Sequence, residues 1–134
     1  MIERAAGLKM KRYCVANQLG INYGETVWTP SYDLPCKELL HAVGPRWLGG
    51  DQDERQVLHR VHRRIIREVL AKGYSSVALP TISCGIYGFP FQIAAPIAVG
   101  AVREELAEQG AELAVSWVFL DDKFLASWRR AILA

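Results

Sequence analysis

A glycine-containing loop is the part of the sequence with the clearest capacity for binding chemistry. The stretch "SCGIYG", residues 83–88, follows an apolar run and precedes a helical pattern. Gly85 and Gly88 permit backbone angles that other residues avoid, and they let a ligand approach the backbone. Free N–H groups followed by a helix N-terminus favour a phosphate, and Tyr87 is placed to cover it. The alternative is a turn that only joins a strand to a helix, because two glycines make a weak motif.

The same loop carries a thiol, which raises a catalytic alternative. Cys84 stands near a predicted helix N-terminus, where a thiolate is favoured, and His41 is the nearest base by its position at a strand end. A buried, inert cysteine is the favoured interpretation. The loop lacks lysine and arginine and so is not a P-loop, and Pro90 stands where a phosphatase-type loop has arginine. We assign no catalytic residue.

Histidines and arginines on one predicted helix present a metal site and a nucleic-acid surface as further alternatives. His59 and His62 are three residues apart, but the H-E-x-x-H pattern and a third ligand are absent, so a solvated pair is favoured. A basic stripe on this helix is typical of a solvated outer face, and nucleic-acid binding is the less favoured interpretation. The stripe comprises Arg60, Arg63, Arg64 and Arg67. We expect neither a metal nor a cofactor.

Helical and β-rich segments alternate along the sequence, which predicts an α/β fold. A helix is expected over residues 2–18, followed by the short strands of "GETVWTP" and "KELLHAVGP". A second helix is expected from about 53 to 72, ended by Gly73. Its apolar face comprises Leu58, Val61, Ile65 and Val69.

The segments on either side of the loop predict that it lies at the carboxyl edge of a sheet. "YSSVALPTI" predicts a strand buried on both faces, and the helix after the loop should reach about Gln109, with Pro96 in its first turn. "ELAVSWVFL" predicts a last buried strand, and Asp121 or Asp122 is placed to cap a terminal helix through Trp128. Ligands bind at the carboxyl ends of parallel strands, where this loop is expected.

Length and composition indicate one domain with a substantial core. The chain has 134 residues, of which 51% are hydrophobic, and its net charge of +2 gives no general argument for a nucleic-acid or membrane partner. Three cysteines without metal-type spacing indicate reduced thiols rather than a disulfide framework. No apolar run has spanning length and no signal peptide is evident. We therefore expect a soluble cytoplasmic protein.

Several linked motifs resemble the macrodomain family, which binds ADP-ribose. They are "IERAAG", "GETVWTPSYDLP", "LLHAVGPRW", "VALPTISCGIYGFP" and "IAAPIAVGAV", in the family's order over nearly the whole chain. The resemblance implies a three-layer α/β/α fold with a mixed sheet, spanning residues 1–134 as one domain. It also implies that the loop wraps the diphosphate and the distal ribose, while "VFLDD" approaches the adenine. The implied diphosphate and ribose contacts are Ser83, Cys84, Gly85, Ile86, Tyr87 and Gly88, and the implied adenine contacts are Phe119 and Leu120.

The resemblance begins within the family's first long helix. Before the point matching Ile2, the family has two strands, an adenine-binding aspartate, an Asn-Ala-Ala-Asn stretch and a glycine-rich loop with a catalytic aspartate, none of which this sequence contains. One of those strands is internal, and each unpaired backbone group left buried costs about 1–3 kcal/mol. We therefore expect an N-terminally shortened fold whose strands rearrange or which associates as a homo-oligomer.

Three functions follow from these features. The first is binding of ADP-ribose, a related nucleotide diphosphate or an ADP-ribosylated substrate through residues 83–88. The second is a self-associating macrodomain remnant that binds no ligand. The third is ADP-ribosyl hydrolysis or O-acetyl-ADP-ribose deacetylation, which requires that the missing segment be supplied.

Overall fold

The computed structural model describes residues 22–134. Its first two strands form an antiparallel pair, β1 (Thr26–Pro30) and β2 (Glu38–Ala42). Thr26 lies opposite Ala42, and Pro30 lies opposite Glu38. Both predicted β-rich runs are therefore strands. The helix predicted for residues 2–18 lies outside the described residues.

The first described helix, α1 (Glu54–Ala71), buries the apolar face that the sequence predicts. Leu58 and Val61 are fully buried, and Ile65 and Val69 are nearly so. The helix ends as expected at a glycine, because Gly73 has φ +80° and donates its N–H to the carbonyl of Leu70 at 3.0 Å. The apolar stripe of α1 thus forms one side of the core.

The parallel pair consists of β3 (Ser76–Leu79) and β4 (Ala114–Trp117), joined through α2 (Phe91–Gln109). The prediction that β3 is buried on both faces is wrong. Ser76 and Ala78 are exposed, whereas Leu79 is buried. Alternate side chains point to opposite faces of a strand, and helices of the described region cover only one face of this pair.

Pro96 is the sixth residue of α2, so the expectation that it lies in the first turn is also wrong. Proline has no N–H and cannot donate to the carbonyl four residues earlier. The helix nevertheless continues to the predicted end at Gln109, where Gly110 adopts φ +59°. Its buried alanines pack closely against α1, which offsets the missing hydrogen bond.

The chain ends in a short 3₁₀ turn, Asp122–Phe124, and α3 (Leu125–Leu133). Asp121 caps the turn, since its side chain accepts from the N–H of Lys123 at 3.0 Å. The helix continues past Trp128, whose ring is 1% exposed. Aromatic rings surround this tryptophan, namely Trp117, Phe119 and Phe124.

Within residues 22–134 the strands form two separate pairs, because β2 forms no ladder with β3. The expected rearrangement of the remaining strands into one closed sheet is therefore not observed in this part of the chain. The loops that follow β2 and β3 nevertheless come into contact. A Cβ added at Gly44 would lie 2.2 Å from Oγ of Ser83. Glycine is therefore required where these two loops meet.

Ion pairs join α1 to α2 through two of the four arginines of the predicted stripe, whereas Arg60 is exposed and Arg64 pairs with Glu68 of its own helix. Glu105 on α2 is 2% exposed and accepts from Arg63 at 3.0 Å and from Arg67 at 2.9 Å. Gln109 adds a third donor at 2.6 Å. These hydrogen bonds lower the pKa of Glu105, and the bond from Gln109 has the largest effect. Desolvation acts in the opposite direction but does not outweigh them. Arg63 and Arg67 therefore bind an acidic partner helix and still leave the outer part of the stripe open to solvent.

Trp128 predicts a large loss of stability on truncation. Trp128→Ala removes a fully buried indole that fixes α3 against β4, so the free energy of unfolding should fall by about 3–5 kcal/mol. Urea denaturation followed by circular dichroism measures this. Leu133→Ala, at a side chain that is 79% exposed, is the matched control and should change stability little. Equal effects of the two substitutions would contradict the packing described.

Candidate functional site

The 83–88 loop follows β3 and leads into the N-terminus of α2. Ser83 and Gly88 both have φ +70°, which turns the backbone sharply at each end of the loop. Two of the six N–H groups are used internally: Cys84 donates to Thr81 at 3.1 Å, and Gly88 donates to Gly85 at 3.0 Å. The other four find no acceptor among residues 22–134. They belong to Ser83, Gly85, Ile86 and Tyr87.

The loop has a buried start, residues 83 and 84, and an exposed part, residues 85–88, called the crest below. Ser83 and Cys84 are buried, whereas Gly85 through Gly88 are exposed and Ile86 is fully so. A Cβ added at Gly85 would meet nothing within 4 Å, so open space lies beside this residue. A molecule approaching the crest would meet backbone N–H groups before any side chain of Ser83 or Cys84.

Cys84 does not have the properties of a nucleophile. Burial raises the pKa of its thiol to about 12, and the side chain is 7% exposed. Desolvation therefore outweighs any benefit from the nearby helix N-terminus. His41, the base considered with it, has its Nε2 2.7 Å from Oγ1 of Thr29 on β1. The cysteine is therefore buried, as favoured from the sequence.

The two residues predicted to approach adenine lie just beyond β4 and differ in environment. Phe119 is partly buried and packs edge-on against Trp128 of the core, with ring centroids 5.9 Å apart. Leu120 is 76% exposed. Because β3 and β4 are parallel, the segments after them lie at the same edge of the sheet. Leu120 is thus the member of the pair that is open to solvent at this edge.

A second aromatic residue lies beside the crest. The ring of Tyr23 packs edge-on against Tyr87 at a centroid distance of 6.1 Å. Tyr23 reaches this position because the N–H of Gly24 donates to the carbonyl of Val43, which brings the residues before β1 alongside the end of β2. Sequence reasoning did not identify Tyr23, since nothing local to it indicates this contact.

Sequence reasoning also missed the segment that supports the loop from below. Trp47 donates its backbone N–H to the carbonyl of Tyr87 at 2.9 Å, and its ring lies 4.8 Å from that of Phe89. The guanidinium of Arg55 lies over the Trp47 ring, 5.4 Å from its centroid. Gly50 fits beneath this indole, where an added Cβ would be 3.0 Å away. Trp47 therefore joins the segment after β2 to the loop after β3.

A buried carboxylate holds this supporting segment. Glu54, the first residue of α1, is 2% exposed and accepts hydrogen bonds from the backbone N–H groups of Leu48 and Gly50 at 2.8 Å and of Gln52 at 2.6 Å. Burial alone would raise the pKa of Glu54, but these hydrogen bonds outweigh it and lower the pKa to about 2. The one sequence signal was an acidic residue just after a glycine-rich turn, at the start of a helix.

The two histidines of α1 are not a solvated pair. His62 is 1% exposed, its Nδ1 donates to the carbonyl of Leu58 at 2.7 Å, and burial lowers its pKa to about 4. His59 instead lies 2.6 Å from a carboxylate oxygen of Glu104. In residues 22–134 no three acidic, histidine or cysteine side chains are grouped to hold a metal ion. In the same part of the chain, no helix has the length and apolarity needed to cross a membrane.

Comparison with known sequences identifies the family. The model described as Macro domain matches residues 1–98, and the chain belongs to the macro domain family. A curated relative from Citrobacter rodentium, named O-acetyl-ADP-ribose deacetylase, is 36% identical over 134 residues. That match covers 98% of this chain and 76% of the relative.

Solved structures confirm the α/β macrodomain fold expected from the sequence. The Oceanobacillus iheyensis macrodomain with ADP matches with a TM-score of 0.90 at 25% identity, over 98% of this chain and 72% of that one. The Trypanosoma brucei macrodomain in complex with ADP-ribose matches with a TM-score of 0.86 at 30% identity, over 98% of this chain and 54% of that one. Within residues 22–134, however, the antiparallel and parallel pairs are separate and do not form one mixed sheet.

Glu54 predicts an acid-sensitive contribution to stability. Its folded pKa of about 2 is below the ordinary 4.5, so its charged form stabilises the folded state above about pH 4.5, and that stabilisation is lost as the pH falls toward 2. Denaturation of the wild type and of Glu54→Gln at several pH values measures the effect. The difference in unfolding free energy should be largest near neutral pH and should shrink on acidification. A difference that is constant with pH would contradict this assignment.

Proposed function

We propose that this protein binds ADP-ribose, or a substrate that carries ADP-ribose, with the diphosphate held by residues 83–88. The observation that carries the proposal is the group of backbone N–H donors on the loop that have no acceptor within the described residues. Relatives named for ADP-ribose chemistry and macrodomains solved with ADP or ADP-ribose support this choice of ligand.

The loop suits a diphosphate although it contains no cation. Several N–H groups close together attract an anion, and the N-terminus of α2 directly after the loop adds a partial positive charge. Because Ser83 and Cys84 are buried, we propose that they contribute backbone rather than side-chain contacts. Gly85 and Gly88 give the ligand close access, and Ile86 and Tyr87 contact the distal ribose.

The adenine end of the ligand is proposed to lie near the end of β4. Leu120 is exposed there and offers an apolar contact to the base. Phe119 is partly buried against Trp128 and is proposed to support Leu120 rather than to stack on adenine itself.

Gly85→Glu should abolish ADP-ribose binding, because the new side chain enters the open space beside the loop and places a negative charge against the diphosphate. Isothermal titration calorimetry with ADP-ribose measures the loss. Gly100→Glu on α2 is the matched control, since it adds the same charge where an added Cβ also meets nothing within 4 Å. Gly100 lies nine residues into the helix, about 13 Å along its axis from Phe91.

Unchanged affinity in Gly85→Glu would contradict the site. Absence of both heat and thermal shift with millimolar ADP-ribose in the wild type would contradict the function, and would favour the remnant that binds no ligand. Equal loss in Gly85→Glu and Gly100→Glu would indicate a general effect of charge or folding instead of an effect on the loop.

Deacetylation of O-acetyl-ADP-ribose is a second candidate, favoured by the name of the Citrobacter rodentium relative. No residue of this chain is proposed as catalytic, because the family resemblance puts the acidic and asparagine residues before the point that matches Ile2. Release of acetate from O-acetyl-ADP-ribose, lost in Gly85→Glu, would support this candidate.

We also propose that the chain, one domain over residues 1–134, associates with a second copy of itself. Within the described residues β3 forms a ladder with β4 alone, so its other edge offers backbone groups that a second strand satisfies. Cys36 and Cys84 are unpaired thiols, which supports a reducing compartment such as the cytoplasm.

Light scattering coupled to size-exclusion chromatography tests the association. The expected mass is a multiple of the 15.0 kDa chain mass. An exposed proline interrupts a strand edge because it lacks the N–H that a partner strand would use, so Ala78→Pro should reduce the associated fraction. Glu112→Pro is the control, because this exposed residue lies outside the strands and helices and its N–H has no acceptor within residues 22–134. A monodisperse species of 15.0 kDa would count against the proposal.

A further inference from the structure

We infer that Glu54 is a positioning residue for the diphosphate loop, acting through the segment 47–52 and Trp47. The inference rests on the function proposed above, because it gives the supporting segment a role in binding. Glu54 itself does not touch the loop. Its influence passes through hydrogen bonds and ring contacts that the structure contains.

The first step is that Glu54 holds a segment whose backbone does not fix its own conformation. Gly49 and Gly50 have φ of +102° and +98°, and Asp53 has φ of +58°. The glycines adopt these angles freely and so do not fix the segment in one conformation, whereas the positive φ of Asp53 is unfavourable, so the conformation depends on outside contacts. The carboxylate of Glu54 supplies three acceptor contacts to N–H groups of this segment, and it does so from a buried position.

The second step joins the segment to the loop. Trp47 immediately precedes Leu48, the first N–H donor to Glu54. The N–H of Trp47 bonds the carbonyl of Tyr87, and its ring packs on Phe89, so Trp47 touches the end of the loop at two points. Phe89 in turn donates its N–H to the carbonyl of Ser83 at 2.9 Å, which closes the loop at its base.

The third step concerns what a change at Glu54 would do. In Glu54→Gln the side chain keeps its size, but one oxygen becomes an NH₂ donor that faces N–H groups and cannot accept from them. At least one of these part-buried N–H groups then loses its carboxylate partner. The segment relaxes, Trp47 loses its fixed position, and the direction of the N–H groups at Gly85 and Ile86 is no longer fixed.

Glu105→Gln provides a closely matched control. Both glutamates are 2% exposed, and each accepts from three different donor residues. Glu105 binds only side chains of α1 and α2, however, and has no hydrogen bond to either loop. Both substitutions should lower thermal stability. Only Glu54→Gln should also change the loop.

The experiment measures ADP-ribose affinity and amide hydrogen exchange in the wild type and both variants, at a temperature where all three are folded. Glu54→Gln should weaken binding by about tenfold or more, while Glu105→Gln stays within about twofold of the wild type. Exchange at the N–H groups of Trp47 and Phe89 should accelerate about tenfold in Glu54→Gln alone. Helix amides near the middle of α2 report global unfolding in the same spectra.

The outcomes separate this inference from the proposed function. If the wild type binds ADP-ribose and the two variants bind it equally well, the positioning role is wrong and the function stands. If the wild type binds no ADP-ribose, the function fails, and exchange at Trp47 and Phe89 still decides whether Glu54 fixes the loop. Equal acceleration in both variants would show that Glu54 acts only through overall stability, and would overturn the inference.

Discussion

A buried negative charge held by backbone N–H groups is the interaction on which the candidate site depends. Glu54 forms no ion pair with any lysine or arginine of residues 22–134, and its charge is stabilised by three N–H groups of the neighbouring turn. Glu105, equally buried, is instead bound by Arg63 and Arg67 and joins two helices. Glu54 thus holds a loop segment, whereas Glu105 joins two helices. The two sets of hydrogen bonds share no residue.

The same chemistry recurs at the crest of the 83–88 loop. The N–H groups of the crest have no acceptor in the described region, and we propose that they donate to the anionic ligand. In the same way, N–H groups of residues 48–52 donate to the carboxylate of Glu54. Backbone donors cannot change protonation state near neutral pH, unlike a histidine, and they cannot rotate away as a lysine can. A site built from them keeps its affinity for anions over a wide pH range, provided that the loop keeps its shape.

Local patterns predicted most of the described elements. The 3.6-residue apolar spacing in α1, the glycine that ends it and the carboxylate cap before α3 are all signals within a few residues, and each was confirmed. What failed required knowledge of distant partners. Nothing near Arg63 indicates that an acidic stripe on α2 faces it, and nothing near His62 indicates burial. The exposed face of β3 could not be predicted either, because an apolar run alone does not say which layers cover it.

The close approach of Gly44 to Ser83 has a consequence for how the two halves of the structure fit together. A Cβ at this position would also lie 2.3 Å from Cγ2 of Ile82, so contact there tolerates a hydrogen atom and nothing larger. The antiparallel and parallel pairs share no ladder in the described region, and here the segments that follow β2 and β3 meet. A methyl group on residue 44 would force the segments after β2 and β3 apart. That displacement would occur beside the loop where an anion is proposed to bind.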